Sequence, residues 1–179
     1  MTTILLDIDG VTHDWVSAVL KALQPWGCPV RYQDVIDYDI RACLPKHLHE
    51  PLSRLPYQEG FCRSIPLYAG ATQFIRALRT EGRVIALTKA SPGPFWRAER
   101  HEALSNLGFR DEDIAIVDRH EDKHDYPGDV LIEDNPETIF RSKHRHKYLV
   151  ARPWNSREKE TLPHRVHTYG HLHKRVRER

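Results

Sequence analysis

No apolar run in the chain approaches the length of about 20 residues that a bilayer-spanning helix needs, so no membrane span is expected. Cysteine is scarce. The three present, Cys28, Cys43 and Cys62, are odd in number and fit no metal-ligand spacing, which excludes a disulfide framework and reads as reduced thiols. An excess of one sign of charge is missing too: a formal net charge of +2 gives no global pull toward nucleic acid. Met1-Thr2-Thr3 leads into an apolar stretch with no basic-then-apolar leader, so a cytoplasmic protein is expected. Internal repeats and low-complexity linkers are absent. With 179 residues, the chain fits one domain with a small insertion and can bury a sizeable core.

The local exception to the even charge is the stretch from Trp154 onward. There Arg157, Lys159, Arg165, Lys174, Arg175, Arg177 and Arg179 outnumber Glu158, Glu160 and Glu178, and His164, His167, His171 and His173 join them. A solvated terminal helix and a polyanion-binding tail both fit this pattern.

Five short apolar runs mark strands: Ile4–Leu6, Val84–Leu87, Ile114–Val117, Val130–Ile132 and Tyr148–Val150. Helix-period segments, Ala71–Arg79, Phe95–Leu107 and Pro136–Arg141, lie between them. This alternation predicts an α/β, Rossmann-like fold: a parallel sheet of about five strands with helices on both faces. One interval breaks the rhythm, since about 60 residues separate the first strand from the helix at Ala71, far beyond an ordinary loop. They hold a helix expected over Trp15–Leu23 and then Pro25, Gly27, Pro29, Pro45, Pro51 and Pro56. Residues 14–66 are therefore expected to form a small helical cap, inserted into a core of residues 1–13 and 67–179. It would cover the carboxyl ends of the strands, where open α/β sheets bind ligands.

The strand ends are chemically loaded. Asp7 and Asp9 come after the first strand, Thr88, Lys89 and Ser91 after the second, and Glu133 and Asp134 after the fourth; Asp118 after the third leads to "HEDKHD" with Lys123. In a parallel sheet these ends lie side by side. Converging carboxylates from Asp7, Asp9 and Asp134 call for a divalent cation, and hard oxygen ligands suit Mg²⁺. A hydroxyl from Thr88 and an ammonium from Lys123 complete what a phosphoryl group with developing negative charge requires. Arg100 is a rival for the basic role, but its helix reads as surface-exposed.

These residues stand in the order of four motifs. "DIDGV" matches the DxDx[VT] signature of the haloacid dehalogenase-like (HAD) phosphohydrolases, Thr88 the second motif, Lys123 the third and Glu133-Asp134 the acidic fourth. Within that superfamily the chain resembles the 5′(3′)-deoxyribonucleotidases. The stretches that carry the likeness are "DIDGVTHDW", "EGFCRSIPLYAGATQFIRAL", "DKHDYPGDVLIEDNP" and "YLVARPWN". It is loose from about residue 25 to 56. The chain departs from that family at Thr88-Lys89, where Thr-Ser is usual, and at Glu133-Asp134, where Asp-Asp is common. Lys89 either adds a phosphate contact or points away.

The resemblance implies a Mg²⁺-dependent phosphomonoesterase acting on (deoxy)nucleoside monophosphates. Asp7 would be the nucleophile that forms an aspartyl-phosphate, and Asp9 the general acid and base. Asp7, Asp134 and the backbone carbonyl of Asp9 would hold the metal, with Glu133 supporting them from behind. Thr88 and Lys123 would bind phosphate. Trp15 and Phe61 stand either to stack on a base or to pack cap against core, and Asp14 either to cap a helix or to touch substrate. The partner implied is a small-molecule nucleotide rather than a nucleic acid. A compact cap leaves room for a homodimer, though nothing in the sequence requires one. Two other readings stay open: a HAD phosphatase for another small phosphate ester or a polynucleotide end, and a non-catalytic nucleotide-binding protein.

Overall fold

A computed structural model describes residues 1–156 and 165–179. Among them run six parallel strands: β1 (Thr3–Leu6), β2 (Arg83–Lys89), β3 (Ile114–Val117), β4 (Val130–Glu133), β5 (His146–Val150) and β6 (Arg165–Val166). They form one sheet in the order β3-β2-β1-β4-β5-β6. The expected count of about five is thus corrected to six. β6 escaped notice because two residues, one of them charged, make no apolar run.

The strands alternate their side chains between two covered faces. Ile4, Leu6, Val84, Ala86, Val130 and Ile132 join a cluster with Phe74, Ile75 and Leu78 of α3 (Ala71–Glu81) and Leu172 and Val176 of α6 (Tyr169–Arg177). Leu5, Ile85, Leu87, Leu131 and Leu149 face the other way, against Ile139 of α5 (Pro136–Arg141). Double-sided burial explains why these strands read as unbroken apolar runs.

The terminal helix α6 is packed rather than free. Tyr169 stacks on Phe74 with ring centroids 4.5 Å apart, and the Tyr148 hydroxyl donates to the Arg175 carbonyl at 2.9 Å. Of the basic stretch, Arg157, Glu158, Lys159, Glu160 and His164 lie outside the described residues.

Between β1 and α3 come α1 (Trp15–Ala22), α2 (His49–Arg54) and five short 3₁₀ turns. Prolines interrupt longer helices there: Pro25 and Pro56 each open such a turn. Asp14 caps α1 by accepting the Ser17 amide at 3.0 Å. The insertion has its own apolar cluster, including Val19, Leu23, Leu48 and Leu55, which closes on Trp96 and Trp154 from the sheet side. It therefore sits against the sheet through two tryptophans.

β1 is central, and the chain winds outward from it in both directions. The strand order reverses between β1 and β4, so residues leaving their carboxyl ends meet in the crevice where such sheets bind ligands.

Candidate active site

A cavity of about 460 Å³ opens over these strand ends. Asp7, Asp9, Thr88, Lys89, Lys123 and Asp134 line it from the sheet, and Trp15, Tyr38 and Arg41 from the insertion. The rings of Tyr38 and His120 meet edge-on at 6.0 Å, so the insertion reaches core residues at the cavity wall.

Asp7, buried beyond the end of β1, is gripped by Lys123, whose Nζ donates to Oδ1 at 2.6 Å. The same ammonium donates to Glu133 Oε2 at 3.0 Å. The other Glu133 oxygen accepts the amides of Asp134 (3.1 Å) and Asn135 (3.2 Å). Glu133 therefore shapes the turn after β4 and orients Lys123. Asp134 Oδ2 accepts the Trp154 indole N–H at 2.7 Å. Its Oδ1 is buried and has no hydrogen-bond partner among the described residues. Asn155 fixes the backbone behind it by donating to the Asp134 and Val150 carbonyls, both at 2.8 Å.

Gly10 is required where it stands. Its φ of +79° lies in the left-handed region, and a Cβ there would sit 2.1 Å from Asp134 Oδ2. The glycine is what lets the turn after Asp9 come up against the acid that follows β4.

The electrostatics follow from burial. Ligand atoms of Asp7, Glu133 and Asp134 lie within 4.8 Å of one another. Burial, then Glu133, push the Asp7 carboxyl up to about 7 despite Lys123. Asp134 is raised well above the usual carboxylate range by burial and by Glu133 and Asp7. Glu133 goes the other way: burial opposes its charge, but Lys123 and the bonds around it hold it below its ordinary value. Burial also works against the Lys123 ammonium, and Asp7 and Glu133 outweigh it. With all three carboxyls ionised, the one buried ammonium would leave a surplus of two negative charges, which is why Asp7 and Asp134 hold their protons more tightly than usual. One divalent cation balances that surplus, and the free Asp134 oxygen is a ligand atom in place. The residues present thus fit Mg²⁺.

Asp9 stands apart from this cluster. Its carboxylate pairs with Arg100, whose Nη2 lies 2.7 Å from each oxygen. This corrects the surface reading of the Arg100 helix: α4 (Trp96–Asn106) buries Trp96, Glu99, Arg100 and Leu104 as one stripe. Two of the four are charged, so hydropathy conceals a face that the helical spacing alone would have shown.

Thr88 is buried at the end of β2 and lines the cavity. Lys89 lines it too, its Nζ touching only the carbonyl of Ala90, at 3.4 Å, among the hydrogen bonds of the described residues. Trp15 is half-buried on the cavity wall. Phe61 is elsewhere: it is buried against Trp96, with ring centroids 6.3 Å apart, and does not line the cavity. A packing role displaces the stacking alternative for Phe61, because the segment returning from the insertion turns that ring toward α4. Burial pushes the Cys62 thiol next to it up to about 12, so it stays protonated. Sequence reasoning named Arg100 only as a rival base on a surface helix and missed Tyr38 and Trp154, of which Trp154 alone carried a signal, within "YLVARPWN".

The fold is that of the haloacid dehalogenase-like hydrolases. Solved structures with this architecture include a HAD-like hydrolase of Burkholderia xenovorans LB400 (16% identity, 96% of this chain and 94% of that one, TM-score 0.56). The HAD-hydrolase YfnB of Bacillus subtilis, bound to magnesium, is similar at 14% identity over 98% of both chains, TM-score 0.58. So is protein SP0104 of Streptococcus pneumoniae, at 11% identity over 96% of both chains, TM-score 0.56. No curated protein sequence matches the chain. Within this class the chain belongs to the 5′ nucleotidase, deoxy (pyrimidine), cytosolic type C (NT5C) family, whose profile matches residues 1–176. It is an enzyme of the phosphatase and nucleotidase kind. No helix of the described residues is long and apolar enough to cross a membrane.

Proposed function

We propose that the chain is a cytoplasmic, Mg²⁺-dependent phosphomonoesterase that hydrolyses (deoxy)nucleoside monophosphates to nucleoside and inorganic phosphate. The observation that carries the reading is Asp7: one oxygen held at 2.6 Å by Lys123, beside an Asp134 oxygen without a partner, in a cavity shared by sheet and insertion. Membership of the NT5C family supports the substrate class and the cytosolic setting. The acidic cluster and the magnesium of the YfnB structure support the metal.

Each residue at the cavity takes one part of the chemistry. Lys123 occupies Asp7 Oδ1, so Oδ2 is the oxygen that attacks phosphorus and forms the aspartyl-phosphate. Asp9, once it has taken up a proton, gives it to the departing alkoxide. It then takes one from the water that attacks the same phosphorus, which releases phosphate and restores the Asp7 carboxylate. Thr88 donates to the phosphoryl oxygens, and Lys89 adds positive charge at the same wall. Asp7, Asp134 and the Asp9 carbonyl would hold Mg²⁺, which would supply the charge neutralisation that lets an anionic phosphate approach these carboxylates. Residues 14–66 act as the cap on a core of residues 1–13 and 67–179, and Trp15 offers its ring to the base.

The test is phosphate release from a panel of mononucleotides, sugar phosphates and 3′-phosphorylated oligonucleotides, with and without Mg²⁺. Mononucleotides should be preferred and Mg²⁺ required. Asp7→Asn should lower kcat by more than about 10³-fold while the melting temperature stays within a few degrees. Preference for the oligonucleotides, or a near-normal Asp7→Asn enzyme, would overturn the proposal.

A further inference from the structure

We infer that Arg100 is a positioning residue for proton transfer by Asp9. The inference rests on the proposed phosphomonoesterase activity and goes beyond it by assigning a role to a helix outside the four motifs.

Arg100 is fully buried, yet among the described residues it meets one carboxylate: Nη2 bridges both Asp9 oxygens at 2.7 Å. Its Nε and Nη1 have no hydrogen-bond partner among the described residues, and the guanidinium lies 5.2 Å from the centre of the Trp96 ring. A buried guanidinium with a single anionic partner is held by that partner, and holds it in return, because separating them leaves a charge uncompensated in the interior. Asp9 keeps 26% of its side chain exposed and lines the cavity. A carboxylate offers about four lone-pair positions. Arg100 uses one on each oxygen, which leaves about two free on a side chain that lines the cavity.

The anchor is itself tied down. Glu99, next in sequence and buried, accepts the amides of Gly60 at 2.5 Å and Arg63 at 3.2 Å, where the chain returns from the insertion. The helix that aims Arg100 at Asp9 is thereby pinned to the insertion. Free rotation of the Asp9 carboxylate would spoil the geometry that proton transfer needs, within hydrogen-bond reach of the leaving oxygen.

The readout must separate positioning from plain stability. Proton donation matters for a nucleoside leaving group, which departs as a strongly basic alkoxide. It matters little for p-nitrophenol, whose phenolate leaves unaided. Arg100→Met and Arg100→Lys are therefore assayed on thymidine 5′-monophosphate and on p-nitrophenyl phosphate. Arg100→Met should lower kcat/KM, which reports the attack by Asp7 and the departure of the leaving group but not the later water step, about 10²-fold or more for the nucleotide and less than about tenfold for the nitrophenyl ester. Arg100→Lys should show the same asymmetry, weaker, and carries the test if Arg100→Met fails to fold. In an Asp9→Asn background, which removes the charge Arg100 faces, Arg100→Met should cost less than about threefold. Equal loss of kcat/KM on both esters would show a structural role and overturn the inference. A raised KM with unchanged kcat would make Arg100 a phosphate ligand and overturn it too. If the wild-type enzyme hydrolyses neither ester, the proposed activity fails first and this inference falls with it.

Discussion

The surplus of negative charge beside Asp7 makes a prediction about stability that needs no substrate. Without a cation, burial and Glu133 raise the Asp7 carboxyl from 3.8 to about 7 in the folded state. A carboxyl raised on folding binds its proton more tightly in the native protein. Its favourable contribution is complete below the unfolded value and is lost as pH rises through about 7. A bound cation reverses this, because it needs the ionised form and so competes with the proton. Consider Mg²⁺ at 100 times its dissociation constant at pH 7.5. The stabilisation is about 2.7 kcal/mol, or a rise in Tm of about 5–10 °C for a chain of this size. At pH 5.5 a group titrating near 7 is almost wholly protonated, and the cation must displace that proton, which weakens its apparent affinity about 25-fold. The same Mg²⁺ concentration then gives about 1 kcal/mol, or about 2–4 °C. Asp134, also raised, steepens the contrast. The assay is thermal unfolding with and without Mg²⁺ at the two pH values, with Asp134→Asn as control. The increment should shrink at pH 5.5 and vanish in the control. An increment that is equal at both pH values, or larger at pH 5.5, would refute the reasoning.

Two further predictions concern the turn around Asp134. Trp154→Phe keeps a ring against Tyr32, 5.9 Å away edge-on, but removes the indole donor at 2.7 Å from Asp134. Mg²⁺ affinity measured by calorimetry should fall about 10-fold or more, with a stability loss of about 1–3 kcal/mol; unchanged affinity would mean that the indole does not orient the acid. Gly10→Ala must place a Cβ 2.1 Å from an Asp134 oxygen at φ +79°. It should cost at least about 1–2 kcal/mol and abolish the Mg²⁺-dependent rise in Tm, whereas a variant with normal Mg²⁺ response would show that the turn can move away from Asp134.

Much of the sheet was legible because its strands are buried on both faces. Leu5 and Leu131 point one way, Ile4 and Ile132 the other, and both sets must be apolar, so each strand is an unbroken run. The acids were legible for a related reason: a carboxylate directly after such a run lies at a strand end, and parallel strand ends converge. β6 was not legible, since its two residues draw stability from pairing with β5 and from Val166 in the core, neither of which leaves a pattern. Phe61 could not be placed either, because an aromatic ring after a long insertion points as readily into packing as into a cavity until the return path is known.

Arg100 exposes the deeper limit. Patterning assigns every charge to solvent, which is right for most of them because burying one alone is so unfavourable. The assignment fails where charges are buried as pairs, and the described residues hold two such pairs at the site. Lys123 is 2% exposed only because Asp7 and Glu133 are there. Arg100 is buried only because Asp9 is there. In both pairs the partners come from different elements, 116 and 91 residues apart in the chain. Glu133 alone is near its partner, ten residues from Lys123; no local window holds Asp7 with Lys123 or Asp9 with Arg100, so no periodicity reveals those pairs. What separated the two cases was the family motif: Lys123 stands where a motif expects a base, and Arg100 does not. A helix such as α4, apolar at Trp96 and Leu104 and charged at Glu99 and Arg100 on the same face, is the form a buried ion pair takes in sequence. Charges at i+3 and i+4 inside an otherwise apolar stripe should therefore be read as candidates for pairing across the fold before they are given to solvent.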